Sequence, residues 1–209
     1  MAKSKSKKLS VLLLITAILL IAVNVGSICM LSLPMYKSVT TAGSSTVTTE
    51  GKTGFEYVKD WTEKDDNGNT KLSALKETIK KYEEGNIKTE SLNKINESNK
   101  HQVAIVECLI IVMAVSSVGA VLGFIALILA CVKKKGLSST FGLLSLVCVI
   151  SIIVLSAIAL AYYTPIAQSL DGTVAGITKS TTCISTMMLV ILSSVGGALS
   201  MLTLLFSKK

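Results

Sequence analysis

The sequence predicts an all-α transmembrane fold: a four-helix membrane bundle with a small α+β extracytoplasmic insertion between helices 1 and 2. Three observations predict it. Half of the 209 residues are hydrophobic, and the mean hydropathy is +0.62. The apolar residues gather in four stretches, 9–33, 103–132, 137–163 and 183–206, each at or beyond the roughly 20 residues that a helix needs to cross a bilayer. Lysines without a single arginine mark alternate ends of those stretches.

The formal charge of +8 separates by segment. Residues 34–102 hold 11 lysines against 11 acids and are neutral. Lys3, Lys5, Lys7, Lys8, Lys133, Lys134, Lys135, Lys208 and Lys209 stand with no acid among them. They occupy the N-terminus, the second connection and the C-terminus, the three segments that share one side in a four-span chain. An excess of lysine marks the cytoplasmic side, so the chain is expected in the cell (plasma) membrane as a multi-pass protein with both termini cytoplasmic. The charge then reads as orientation and attraction to anionic headgroups. It is no nucleic-acid footprint, and the chain lacks the arginines best suited to bidentate phosphate or base contacts.

Residues 1–8 form a basic cytoplasmic N-terminus. The stretch 9–33 is longer than the apolar core of a cleaved signal peptide, about 7–15 residues, and is read as a signal-anchor helix. Residues 34–102 are the extracytoplasmic loop domain. Val39 to Ala42 and Ser44 to Thr49 are polar and β-prone, Glu50 to Gly54 is a turn region, and Phe55 to Trp61 follows; together they predict a small hairpin or two extended segments. Phe55, Tyr57 and Trp61 read as one face of a further strand: the domain's own core, an interfacial anchor, or an outer binding patch. Asp65 to Asn69 is a turn by composition. Thr70 is the expected N-cap of a helix carrying Leu72, Leu75, Ile79 and Tyr82 and stopping near Gly85. A second, weaker helix is expected on Ile87, Leu92 and Ile95. With so few large apolar residues the domain needs support from the membrane surface, the second outer loop or a partner.

Residues 103–132 are the second span, 133–136 the cytoplasmic turn, 137–163 the third span, 164–182 a short outer loop, 183–206 the fourth span and 207–209 the tail. Ser116-Ser117-Val118-Gly119-Ala120 recurs as Ser193-Ser194-Val195-Gly196-Gly197 in the fourth stretch. A duplicated hairpin would produce that repeat; so would the general use of small residues in membrane helices. Gly119, Gly123, Gly196 and Gly197 lie at spacings that let helix backbones approach, and Asn24 is a polar group able to bond across a helix interface.

Glu107 is the one ionisable side chain inside the four stretches, which makes it the candidate intramembrane functional residue. It lies about a turn from the boundary, within reach of His101 or a loop lysine. Glu63, Asp65, Asn67 and Gly68 resemble the start of a calcium loop, but the twelfth position, where a bidentate glutamate is needed, is Ala74. Cys29, Cys108, Cys131, Cys148 and Cys183 all lie in or at the ends of apolar stretches, so the loop domain has no disulfide framework. They read as free thiols, with a pairing among Cys29, Cys108 and Cys183 left open. Asn96-Glu97-Ser98 is a glycosylation sequon. No constellation carries recognisable catalytic chemistry, and neither cofactor nor metal is expected.

The order of segments is similar to the claudin-type four-span layout: a short inner start, a large first outer loop with a tryptophan, a short inner turn and a smaller second outer loop. This loop lacks that family's Gly-Leu-Trp tripeptide and paired cysteines, so the likeness is one of layout. The sequence therefore points to a non-enzymatic four-span protein whose outer domain mediates binding, assembly or surface organisation. Its expected partners are the lipid bilayer and a protein partner or a second copy. The alternative is a small transporter, or an accessory subunit of a transport complex, with Glu107 as coupling carboxylate.

Overall fold

The computed structural model describes residues 2–85, 89–168, 172–174 and 177–208. It is mostly helical. Helix α1 is Ala2–Met30, α2 Gly54–Thr62, α3 Lys71–Glu84, α4 Glu90–Cys131, α5 Lys135–Gln168 and α6 Ser185–Lys208. Strand β1 is Tyr36–Ala42, β2 Ser45–Glu50, β3 Gly172–Val174 and β4 Ile177–Cys183. Four helical segments are long and apolar enough to cross a membrane: Val11–Met30, Glu90–Cys131, Lys135–Ile166 and Ser185–Phe206. The chain divides into two compact units.

The first unit comprises Met1–Met30, Ile111–Leu155 and Met188–Lys209. Its centre is apolar contact between α1 and α5, where Leu20 and Val23 meet Leu146 and Val149, with Ile153 against them. Around that centre the usual arrangement of a soluble protein is inverted. Thr16, Asn24, Ser27, Ser116, Ser138, Ser145, Ser193 and Ser200 are buried, while Val11, Ile18, Val121, Phe124, Val147, Ile150, Val195 and Leu202 face outward. Helix α4 ends in a Schellman motif: Lys134 N–H donates to Leu129 O at 2.9 Å and Lys133 N–H to Ala130 O at 3.1 Å. Lys133 takes the left-handed position, φ 60°, that usually holds glycine.

The second unit comprises Leu31–Ile110 and Ser156–Met187. Its sheet is four-stranded and antiparallel, in the order β2-β1-β4-β3. Strands β1 and β2 form a hairpin, one of the two arrangements expected. Gly43, at φ 59°, takes the first central position of its two-residue turn, as a type II′ turn requires. Residues 164–182, expected as a plain loop, instead supply β3 and β4. Strand β4 pairs with β1 from Tyr36↔Cys183 to Ala42↔Ile177, so the sheet is no insertion between helices 1 and 2 alone. The physical reason is a segment with β-branched Ile177, Thr178, Thr181 and Thr182, which satisfies β1's second edge.

Three further expectations are corrected here. Phe55 to Trp61 is helix α2 and not a strand, because Thr53 and Glu56 form a capping box that nucleates it: Glu56 N–H donates to Thr53 Oγ1 at 3.2 Å and Thr53 N–H to Glu56 Oε2 at 2.9 Å. The weak second helix is continuous with the second apolar stretch as the 42-residue α4, since no glycine or proline interrupts residues 86–118. Ile87 lies outside the described residues, and Leu92 and Ile95 are exposed instead of packed. Helix α5 likewise outruns its apolar stretch and carries Pro165 near its end.

As expected, Thr70 caps α3, its Oγ1 accepting from Ser73 N–H at 3.0 Å, and the helix closes at Gly85. The core of this unit comes from an unexpected source. Leu31, Met35 and Val58 are joined by Ile105, Val106, Leu109, Ala159 and Tyr163, residues of the apolar stretches read as spans. Long apolar helices thus supply the core that the loop sequence lacks.

Candidate functional site

In the first unit the small residues mark close helix approaches. A Cβ on Gly119 would stand 2.1 Å from Asn24 Oδ1 and 2.9 Å from Cys148 Cβ. One on Gly123 would meet Ile21 Cγ1 at 2.9 Å, and one on Gly196 would meet Val23 Cγ2 at 2.1 Å. Gly197 faces Val149 at 3.1 Å. The repeated Ser-Ser-Val-Gly segments of α4 and α6 therefore bring their first glycines to neighbouring residues of α1, Asn24 and Val23. Gly26, which the spacing argument did not single out, makes a comparable approach to Leu192 at 2.9 Å.

Asn24 is fully buried and links three helices. Its Nδ2 donates to Leu20 O at 2.8 Å and Ser145 Oγ at 3.3 Å, while Ser145 Oγ donates to Gly119 O at 2.8 Å. Oδ1 has no conventional donor. It stands 2.1 Å from where a Cβ on Gly119 would lie, so a residue without a side chain is what leaves room for it. Ser145 was not foreseen; its only sequence signal is a small polar residue within an apolar run.

In the second unit Glu107 meets a loop lysine. Its carboxylate pairs with Lys76 at 2.5 Å, the two side chains being 45% and 50% exposed. Lys100 pairs with Glu83 at 2.6 Å, so two ion pairs tie α3 to α4 in antiparallel register. His101 stacks on Tyr162 with ring centroids 4.8 Å apart. Asn96 is only 8% exposed, within helix, which is poor geometry for a glycan acceptor.

The aromatic trio does not share a face. Helical geometry puts Tyr57 and Trp61 one turn apart, 6.3 Å between centroids, with Tyr57 edge-on to Tyr163 at 6.3 Å. Burial raises the Tyr57 phenol above its ordinary pKa, against a smaller lowering by Trp61. Phe55 points elsewhere and is 38% exposed. Tyr57 and Trp61 are therefore packing residues, and an outer patch built on all three does not form.

The sheet of this unit has an open edge at β2. All six residues of β2 are exposed, and β2 is the outermost strand on its side. Among the described residues Cys29, Cys108, Cys131, Cys148 and Cys183 form no disulfide. Among the described residues no group of three His, Cys, Asp or Glu side chains stands close enough to hold a metal ion. Compared with protein-family models, curated proteins and solved structures, the chain matches none.

Proposed function

We propose that this is a non-enzymatic four-span protein of the cell membrane, with both termini cytoplasmic, whose outer domain mediates binding, assembly or surface organisation. The observation that carries the reading is the pairing of β1 with β4, which joins both outer segments into one folded domain. The connection from α4 to α5 on the other side spans only residues 132–134, too few to form a domain.

Membrane residence is supported by the outward apolar face of the first unit, where Val11, Ile18, Val121, Phe124, Val147, Ile150, Val195 and Leu202 are all exposed; an extended apolar surface of this kind marks a membrane or interaction site. That unit takes Ile111–Cys131 from α4 and Lys135–Leu155 from α5. At 1.5 Å per residue each segment is about 31 Å long, matching a hydrocarbon core of about 30 Å. On this reading Glu107 lies above the bilayer. Its ion pair and half-exposed carboxylate favour a structural role over proton or ion coupling.

Photo-crosslinking in intact cells tests the proposal without disturbing the core. A benzophenone side chain at exposed Phe55 or Lys80 should give protein adducts, and one at Lys134 should give none. Adducts from Lys134 alone would overturn it. A membrane-impermeant amine reagent should modify loop lysines in intact cells and reach Lys133–Lys135 only after permeabilisation; the opposite pattern would reverse the topology.

A further inference from the structure

The free edge of β2 has a defined hydrogen-bonding pattern. The two-residue turn makes Ala42 and Ser45 a hydrogen-bonded pair, and such pairs alternate along an antiparallel ladder. Thr40 with Val47 and Ser38 with Thr49 follow, and the Gly51 N–H donating to Tyr36 O at 2.9 Å is in phase with them. The backbone N–H and C=O groups of Thr46, Thr48 and Glu50 therefore point away from β1, and no hydrogen bond to them is present among the described residues.

Edge strands are ordinarily blunted by lysine, proline, a bulge or shortness. Ser45-Thr46-Val47-Thr48-Thr49-Glu50 has none of these. Its six residues pair with β1 without a bulge, it contains neither lysine nor proline, and Val47 is 62% exposed.

We infer that β2 is a self-pairing seam: two copies of this chain join antiparallel along it, centred on Thr48, into one continuous eight-stranded sheet. The inference rests on the proposed role of the outer domain and gives that role a site and a partner. The edge is self-complementary in this register. Thr48 faces Thr48 of the partner copy across a hydrogen-bonded pair, and Thr46 faces Glu50 of the partner copy. Val47 faces Thr49 of the partner copy across a close, non-hydrogen-bonded pair, where β-branched side chains pack well. Charge selects antiparallel over parallel pairing, because an in-register parallel seam would set Glu50 against its own counterpart. Glu50 already has Lys37 at 3.7 Å on the neighbouring strand. The loop's 11 lysines and 11 acids leave no net repulsion between copies.

Cysteine scanning of the full-length protein in mild detergent tests the register. Cα atoms of a hydrogen-bonded antiparallel pair are about 5.5 Å apart, which suits a disulfide. Thr48→Cys should give a dimer-mass band under mild oxidation, above any background from the native cysteines of the wild type. Thr46→Cys alone should give none, since its counterpart lies about 14 Å along the seam. Mixing Thr46→Cys with Glu50→Cys should restore the band. Thr48→Pro removes the central outward N–H without touching a β1 bond, and should abolish the non-covalent dimer while leaving circular dichroism unchanged. Equal cross-linking from Thr46→Cys and Thr48→Cys, no cross-linking above wild type, or a dimer that survives Thr48→Pro would overturn the inference. Photo-adducts with other proteins at Phe55 or Lys80, persisting after such a failure, would leave the outer-domain role standing and refute only the seam.

Discussion

Replacing Gly119 by alanine tests the reading of the Asn24 junction, because two opposing effects have different sizes. Alanine in a helix interior is worth roughly 0.5–1 kcal/mol over glycine. Against that, the new methyl carbon would stand 2.1 Å from Asn24 Oδ1 and 2.9 Å from Cys148 Cβ, so α1 or α5 has to move. Overpacking of this kind costs about 1–3 kcal/mol. Displacing Asn24 also breaks its bond to Ser145, for which the average in membrane proteins is about 0.6 kcal/mol. Gly119→Ala should therefore destabilise by about 1–2 kcal/mol. Gly142→Ala is the control: its Cβ would meet Leu204 Cδ1 at 3.6 Å, an ordinary contact, so it should be neutral or stabilising by up to about 1 kcal/mol. Removing the obstructing amide in Gly119→Ala with Asn24→Ala should recover much of the loss. Stability is read from denaturation in mild detergent followed by circular dichroism. A Gly119→Ala protein as stable as Gly142→Ala would refute the argument, since Asn24 would then not be pinned against α4.

Lys133→Gly should stabilise the end of α4 by about 1 kcal/mol, because a left-handed φ of 60° is unfavourable for lysine and free for glycine; the same denaturation assay checks it. Glu107→Gln removes a half-exposed ion pair and should lower stability by no more than about 1 kcal/mol. It should also leave vesicle flux unchanged; a proton-driven flux that disappears with the substitution would favour the transport reading. Acid should loosen α2. Backbone and side-chain hydrogen bonds from Thr53 hold the Glu56 carboxyl below its ordinary value, and Lys52 does the same for Asp60. Folded-state values below the unfolded ones mean that this contribution is present above the ordinary carboxylate range, and is lost as pH falls through the lowered values. Trp61, the only tryptophan, sits on this helix and reports the change by fluorescence, which should flatten in Thr53→Ala.

Length and hydropathy by themselves determined that four helices are fit to cross a bilayer, because a run of about 20 apolar residues has few other uses. The start of α3 was equally legible, because a threonine cap acts through neighbours in the chain; β1 and β2 were legible as β-prone segments, whereas their turn at Gly43 was not. Asn24, Gly119, Gly123, Gly196 and Gly197 could be singled out by size and spacing. Which helix each one meets is a matter of packing, as is the link through Ser145. In the segment 55–61 alternating aromatics suit a strand, whereas the Thr53–Glu56 capping box decides for helix. Only tertiary structure decided that β4 completes the sheet, that the ends of two apolar helices furnish the outer domain's core, and that Glu107 answers Lys76. Those contacts join residues far apart in sequence, and no local pattern encodes a partner that the chain must fold to reach.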